Sequence, residues 1–111
     1  MAIDNVKVID GMGTNKEQDA IMLLLCDHLL WEGDKAPKVV DHLLLLQKKI
    51  NAYVAFLESG QYKEKYPALE PKMAVIDIRF QHEIPETCEQ FLQTVQEQVG
   101  ELGIKIEVHV G

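Results

Sequence analysis

The sequence predicts an α+β fold: an α/β two-layer sandwich in ββαβαβ order, with a four-stranded mixed sheet and two helices on one face. Three observations predict it. Val39 to Gly60 carries apolar residues at alternating three- and four-residue spacing, the mark of an amphipathic helix. Met73–Phe80 and Ile104–Val110 alternate with the period of two that a strand requires. Between them lies a second helical stripe, so the second half reads as two strand–helix–strand units, and right-handed crossovers place both helices on the same face.

The first element is the short β-type run NVKVID, Asn5 to Asp10, bounded by Gly11 and Gly13; GMGTNKEQ after it reads as a loop. The next stretch, DAIMLLLCDHLLW, carries two signals. Thr14 and Glu17 have capping-box spacing and leucine favours helix, whereas the short continuous apolar run Ala20 to Cys26 suits a strand inside a sheet. We read it as a strand over 19–27, paired antiparallel with strand one at the edge, and we read strands two, three and four as parallel. Leu29 to Lys38 is then a loop.

In the long helix, Val39, Leu43, Leu46, Ile50, Tyr53, Val54 and Leu57 fall in one arc. Asp41 suits its N-terminal end and Ser59-Gly60 its stop. Leu45, Ala52 and Phe56 lie on the opposite side, where a helix packed on one sheet is expected to be polar, and this predicts a subunit interface. His42, Lys49 and Tyr53 form a column on one flank and read as a solvated rim. QYKEKYPALEPK is a loop. In strand three, Ala74, Ile76, Ile78 and Phe80 share one face, and Met73, Val75, Asp77 and Arg79 the other. Pro85 and Glu86 open a second helix with the stripe Cys88, Phe91, Leu92, Val95 and Val99, closed by Gly100 and Gly103. In strand four Ile104, Ile106, Val108 and Val110 point inward and Lys105, Glu107 and His109 outward. The uncovered sheet face is then polar except at strand two, which is apolar on both faces and gives a second hint of an interface.

Composition bounds the rest. A length of 111 residues fits a single domain, 1–111, and 47% hydrophobic content makes it globular. A net charge of −7 argues against nucleic-acid binding and fits an acidic surface that could cover a basic protein partner. No apolar run is long enough to span a membrane, and MAIDNVKVIDG lacks signal-peptide anatomy, so a cytoplasmic location is expected. Cys26 and Cys88, far apart and without a CxxC spacing, read as buried free thiols in a reducing compartment.

DHLLW at 27–31, HLLLLQKKINAYVAFLESG at 42–60 and Tyr66-Pro67 together resemble an uncharacterised family of small bacterial proteins with the pattern D-H-L-x-W, H-L-x-L-L-Q-x-K-I-N-x-Y-x-x-F-x-E-S-G and Tyr-Pro. The resemblance implies a stand-alone bacterial protein and supports a strand before Asp27. It brings no activity, and no catalytic residue is carried over from it.

The candidate chemistry sits where the parallel strands end, the usual ligand edge of an open α/β sheet. Asp27, His28 and Trp31 follow strand two, Arg79, His82 and Glu83 follow strand three, His109 lies on strand four and His42 opens the long helix. A convergence of these imidazoles and carboxylates would suit zinc or acid–base work. No HxH, HxxxH or HExxH spacing supports a metal, no Gly-rich loop cradles phosphate and no nucleophile elbow surrounds Ser59, so neither cofactor nor metal is expected. The leading expectation is a non-catalytic interaction or regulatory module that forms a homodimer, with an unknown protein partner possible. The alternative is a small metal- or ligand-binding enzyme that uses the histidine-rich edge.

Overall fold

The computed structural model describes residues 8–15, 17, 19–67 and 71–111. Strands β1 (Gly11–Asn15), β2 (Ala20–Asp27), β3 (Met73–Phe80) and β4 (Ile104–Val110) form a four-stranded sheet in that order. Helix α1 (Val39–Ser59) and a 3-10 turn (Gln61–Glu64) connect β2 to β3, and α2 (Glu86–Gly100) connects β3 to β4. β1 pairs antiparallel with β2, while β2–β3 and β3–β4 are parallel. The ββαβαβ order, the mixed sheet and the strand at Ala20–Asp27 are those that the sequence predicts.

Strand one is placed differently. Of the predicted run NVKVID, residues 5–7 lie outside the described residues, and Val8 to Asp10 are not strand. The strand is the following segment, Gly11–Asn15, which reads as a loop because two of its residues are glycine. The sheet explains their place. Gly11 pairs with Leu24, and a Cβ built on Gly11 would meet the Leu24 side chain at 3.2 Å. Leu24 occupies the space that a side chain on β1 would need. Asp19, at a φ of 51°, turns the chain from β1 into β2.

One hydrophobic cluster joins both helices to the same sheet face. It takes Ile21, Leu23 and Leu25 from β2, Ala74, Ile76, Ile78 and Phe80 from β3, Ile104 from β4, Leu46, Ile50 and Tyr53 from α1, and Cys88, Leu92, Val95 and Val99 from α2. Burying a Leu or Ile fully contributes about 1.5–3 kcal/mol, so this layer dominates the stability of the chain. α1 stops at Gly60, whose φ of 76° is the left-handed conformation that glycine adopts without strain.

Val108 and Val110 lie on the helix-bearing face as predicted, by their register with Ile78 and Phe80, but are 38% and 48% exposed. α2 covers β3 and the start of β4 and leaves the last turn of strand uncovered. On the opposite face Arg79, Lys105 and His109 are exposed, whereas Asp77 and Val75 are buried.

Candidate functional site

The predicted ligand edge separates into a closed cluster and an open one. The closed cluster lies beneath the first turn of α1. Asp27, the last residue of β2, faces the helices beside Phe80. One of its carboxylate oxygens accepts the Leu29 N–H at 3.1 Å, and the other lies 2.6 Å from His42 Nε2. Opposite a carboxylate, Nε2 carries the proton, which leaves Nδ1 without a hydrogen-bond partner among the described residues. The Trp31 indole stacks on the imidazole with centroids 3.5 Å apart and planes 11° from parallel, and it tilts against Phe80 at 6.1 Å. The side chains of Asp27 and His42 are both 0% exposed. Such a pair orders the loop that follows β2 and offers a ligand no access. Cys88, also buried, is near enough for Asp27 to raise its pKa further; burial is the larger cause, and together with Glu89 they push the thiol up to about 12. A thiol in that state is not a nucleophile at neutral pH.

The open cluster lies on the other face of the sheet. Arg79 donates from Nε to Asp77 Oδ2 at 3.1 Å, and its Nη2 forms an ion pair with the same oxygen at 3.1 Å. His109 Nε2 lies 3.4 Å from Asp77 Oδ1, close enough for an ionic contact but not aligned as a hydrogen bond, so that oxygen has no hydrogen-bond partner among the described residues. Arg79 borders two shallow depressions, of about 460 Å³ beside Gly13, Met22 and Leu24 and about 220 Å³ beside Cys26, His28 and Gln81. His28 and Glu83 are exposed and His82 is half-buried. Among the described residues, no group of three or more His, Cys, Asp or Glu is placed to hold a metal ion.

A third polar arrangement was not anticipated. The column His42, Lys49 and Tyr53 is no solvated rim: all three residues are 0% exposed. Tyr53 donates its hydroxyl to the Leu24 carbonyl at 2.6 Å and accepts the Asp10 N–H at 2.9 Å. Asp10 in turn accepts from Lys49 Nζ and from the Cys26 N–H, each at 2.8 Å. The side chains of Tyr53 and Asp10 thus bond the β2 backbone groups, the Leu24 carbonyl and the Cys26 N–H, that a longer β1 would otherwise meet. Burial, above all, raises the Tyr53 pKa. Burial and Asp10 raise that of Cys26, with Lys49 and Arg79 opposing.

The stripe Leu45, Ala52 and Phe56 is half-buried. Leu45 and Phe56 pack against the core, and Ala52 and Phe56 line a depression with Ile9.

The outer edge of β4 is the remaining feature. Gln96 of α2 reaches over it, accepting the Ile106 N–H at 2.7 Å and donating to the Ile104 carbonyl at 3.1 Å. Its side-chain amide does there what a neighbouring strand would do. Further along β4 a groove of about 700 Å³ opens between strand and helix, lined by Ile84, Leu92, Ile106 and Val108 with Gln93 and Gln96. In the sequence Gln96 is one polar residue among many on the solvent flank of α2, and only the fold brings it to the strand.

Among the described residues no helix is long and apolar enough to cross a membrane. Compared with known proteins, the chain matches over residues 1–111 the model of a family described as a family of unknown function (DUF6572). No curated protein and no solved structure matches it.

Proposed function

We propose, for a chain that belongs to this family of unknown function, that it is a non-catalytic interaction module and that it self-associates. The observation that carries this reading is a contrast in accessibility. The imidazole–carboxylate pair Asp27–His42 is sealed, as is Cys88, and the open cluster of Arg79, Asp77 and His109 is bordered at Arg79 by shallow depressions. Apolar side chains are left outside instead: Val108 and Val110 at the end of β4, and half-buried Met22 and Leu24 on the uncovered sheet face. The half-buried Leu45, Ala52 and Phe56 offer a further surface of the same kind. An enzyme needs its reactive groups within reach of substrate; a binding module needs apolar area within reach of a partner.

The test is the solution mass by light scattering over a wide range of protein concentration. A mass that rises to that of a dimer supports the reading. A monomer at every concentration counts against self-association.

A further inference from the structure

We infer that the outer edge of β4 pairs antiparallel with β4 of a second copy of this chain, in a register centred on Val108. The inference rests on the self-association proposed above and names its surface.

Backbone direction comes first. The Gly103 carbonyl and the Gly111 N–H bond to β3, so Lys105, Glu107 and His109 also turn their backbone groups toward β3. Ile104, Ile106, Val108 and Val110 therefore turn theirs outward, as the Gln96 bonds to Ile104 and Ile106 show directly. Gln96 satisfies the first part of this edge. Beyond it, the Ile106 carbonyl and both backbone groups of Val108 and Val110 face outward on a strand whose valines are 38% and 48% exposed. An unpaired edge of this kind is a template for another strand.

Gln96 also narrows the register. Centring the pair on Ile106 would set Lys105 against the partner's Glu107, but it requires the Ile104 carbonyl and the Ile106 N–H that Gln96 holds. Centring it on Glu107 requires the same groups and places Glu107 directly against the partner's Glu107, a like-charge pair. Centring it on His109 spares the Gln96 bonds, but it pairs only Val108 to Val110 of the strand and sets His109 against itself. Centring it on Val108 leaves the Gln96 bonds intact. Val108 then exchanges both backbone bonds with the partner's Val108, and each Val110 N–H reaches an Ile106 carbonyl that accepts no other bond among the described residues, while the Ile106 N–H stays with Gln96.

The side chains agree with that register on both faces. On the open face Glu107 comes opposite the partner's His109, a carboxylate against an imidazole. On the helix-bearing face Val108 meets the partner's Val108, and Ile106 meets the partner's Val110, which covers the valines that α2 leaves bare. The groove beside Ile84 and Leu92 takes up the rim of the added strand. A carboxylate set against an imidazole on one face and matched apolar residues on the other, in the longest register that leaves the Gln96 bonds in place, favour a second copy over an unrelated peptide.

The experiment uses the full chain and two kinds of variant. Val108→Pro removes the outward N–H at an edge position, where proline leaves the bonds to β3 in place. The two-fold removes the bond twice, so association weakens about a hundredfold in light scattering. Ile106→Cys, Glu107→Cys and Val108→Cys are each made in a Cys26→Ala chain and oxidised. Facing residues of a hydrogen-bonded pair lie about 5.5 Å apart at Cα, within disulfide reach. Covalent dimers formed by Val108→Cys alone, with Val108→Pro shifted to monomer, support the inference. Cross-linking at Ile106→Cys or Glu107→Cys instead overturns the register. A wild-type dimer that Val108→Pro leaves unchanged overturns the inference while self-association stands, through another surface. A monomer throughout overturns both, and an extended peptide from another protein would then be the occupant to test at this edge.

Discussion

The imidazole of His42 lies flat on the indole of Trp31, 3.5 Å between centroids, while its Nε2 atom meets Asp27 at 2.6 Å. One side chain thus ties the first turn of α1 to the end of β2 and to the loop after it. His42→Ala removes the ring that Trp31 rests on and leaves a buried carboxylate that, among the described residues, holds only the Leu29 N–H. Breaking a buried pair by deleting one member costs about 3–5 kcal/mol. We expect a loss of about 3 kcal/mol in urea unfolding, followed through Trp31, the sole tryptophan and hence an unambiguous fluorescence probe. A loss under about 1 kcal/mol would mean that the pair is replaceable by water and does not order the loop.

Tyr53→Phe isolates the other internal polar link. The hydroxyl bridges the Asp10 N–H and the Leu24 carbonyl, and deleting it leaves both without that partner at the start of the β1–β2 ladder. A buried group left unsatisfied costs about 1–3 kcal/mol. The ring still packs, so the loss belongs to the hydroxyl alone. Amide exchange at Asp10 and Gly11 should quicken more than at Ile76 in β3, which distinguishes local fraying from general destabilisation.

These two clusters mark how far the residues alone could be read. α1, α2, β3 and β4 were legible because one face of each meets the core, and burial writes its period into the sequence: Leu46, Ile50 and Tyr53, or Cys88, Leu92, Val95 and Val99. β1 was not, because Gly11 and Gly13 have no side chains with which to show alternation; their place is set by Leu24 on the neighbouring strand. Asp27, His42 and Trp31 could be nominated as neighbours of the sheet edge. That they close on one another, while Arg79 and His109 gather on Asp77 across the sheet, depends on which face each strand residue takes. Lys49 was the least legible. A lysine on a helix flank is ordinarily solvated, and the long-range placement of Asp10, 2.8 Å from its Nζ, is what the sequence does not show.

Alkaline pH should unfold the chain in part through Cys88. The buried thiol keeps its proton up to about 12, whereas in the unfolded chain it ionises at the ordinary 9.0. Above pH 9.0 the unfolded state therefore binds fewer protons than the folded one, and stability falls as pH rises. The contribution of Cys88 is whole below 9.0 and is lost progressively up to about 12. Tyr53 acts in the same direction above 10.0, since burial raises its pKa too. Urea midpoints should drop between about pH 8 and pH 10.5, and the drop should be shallower in Cys88→Ala, whatever that variant loses at neutral pH. In the native chain iodoacetamide should modify half-buried Cys26 before Cys88.

Gln96 should govern the edge of β4 as a donor and as an acceptor separately. Gln96→Ala frees the Ile104 carbonyl and the Ile106 N–H, both of which water can then reach, so the cost is about 1 kcal/mol rather than that of a buried unsatisfied pair. Amide exchange at Ile106 should quicken several-fold. Gln96→Glu keeps an acceptor for the Ile106 N–H but loses the donor to Ile104 and sets a carboxylate against that carbonyl. Ile106 should then stay protected while stability falls at least as far as in Gln96→Ala. Equal exchange at Ile106 in all three chains, measured at a concentration where the wild type is monomeric, would show that the side-chain amide does not substitute for a strand at this edge.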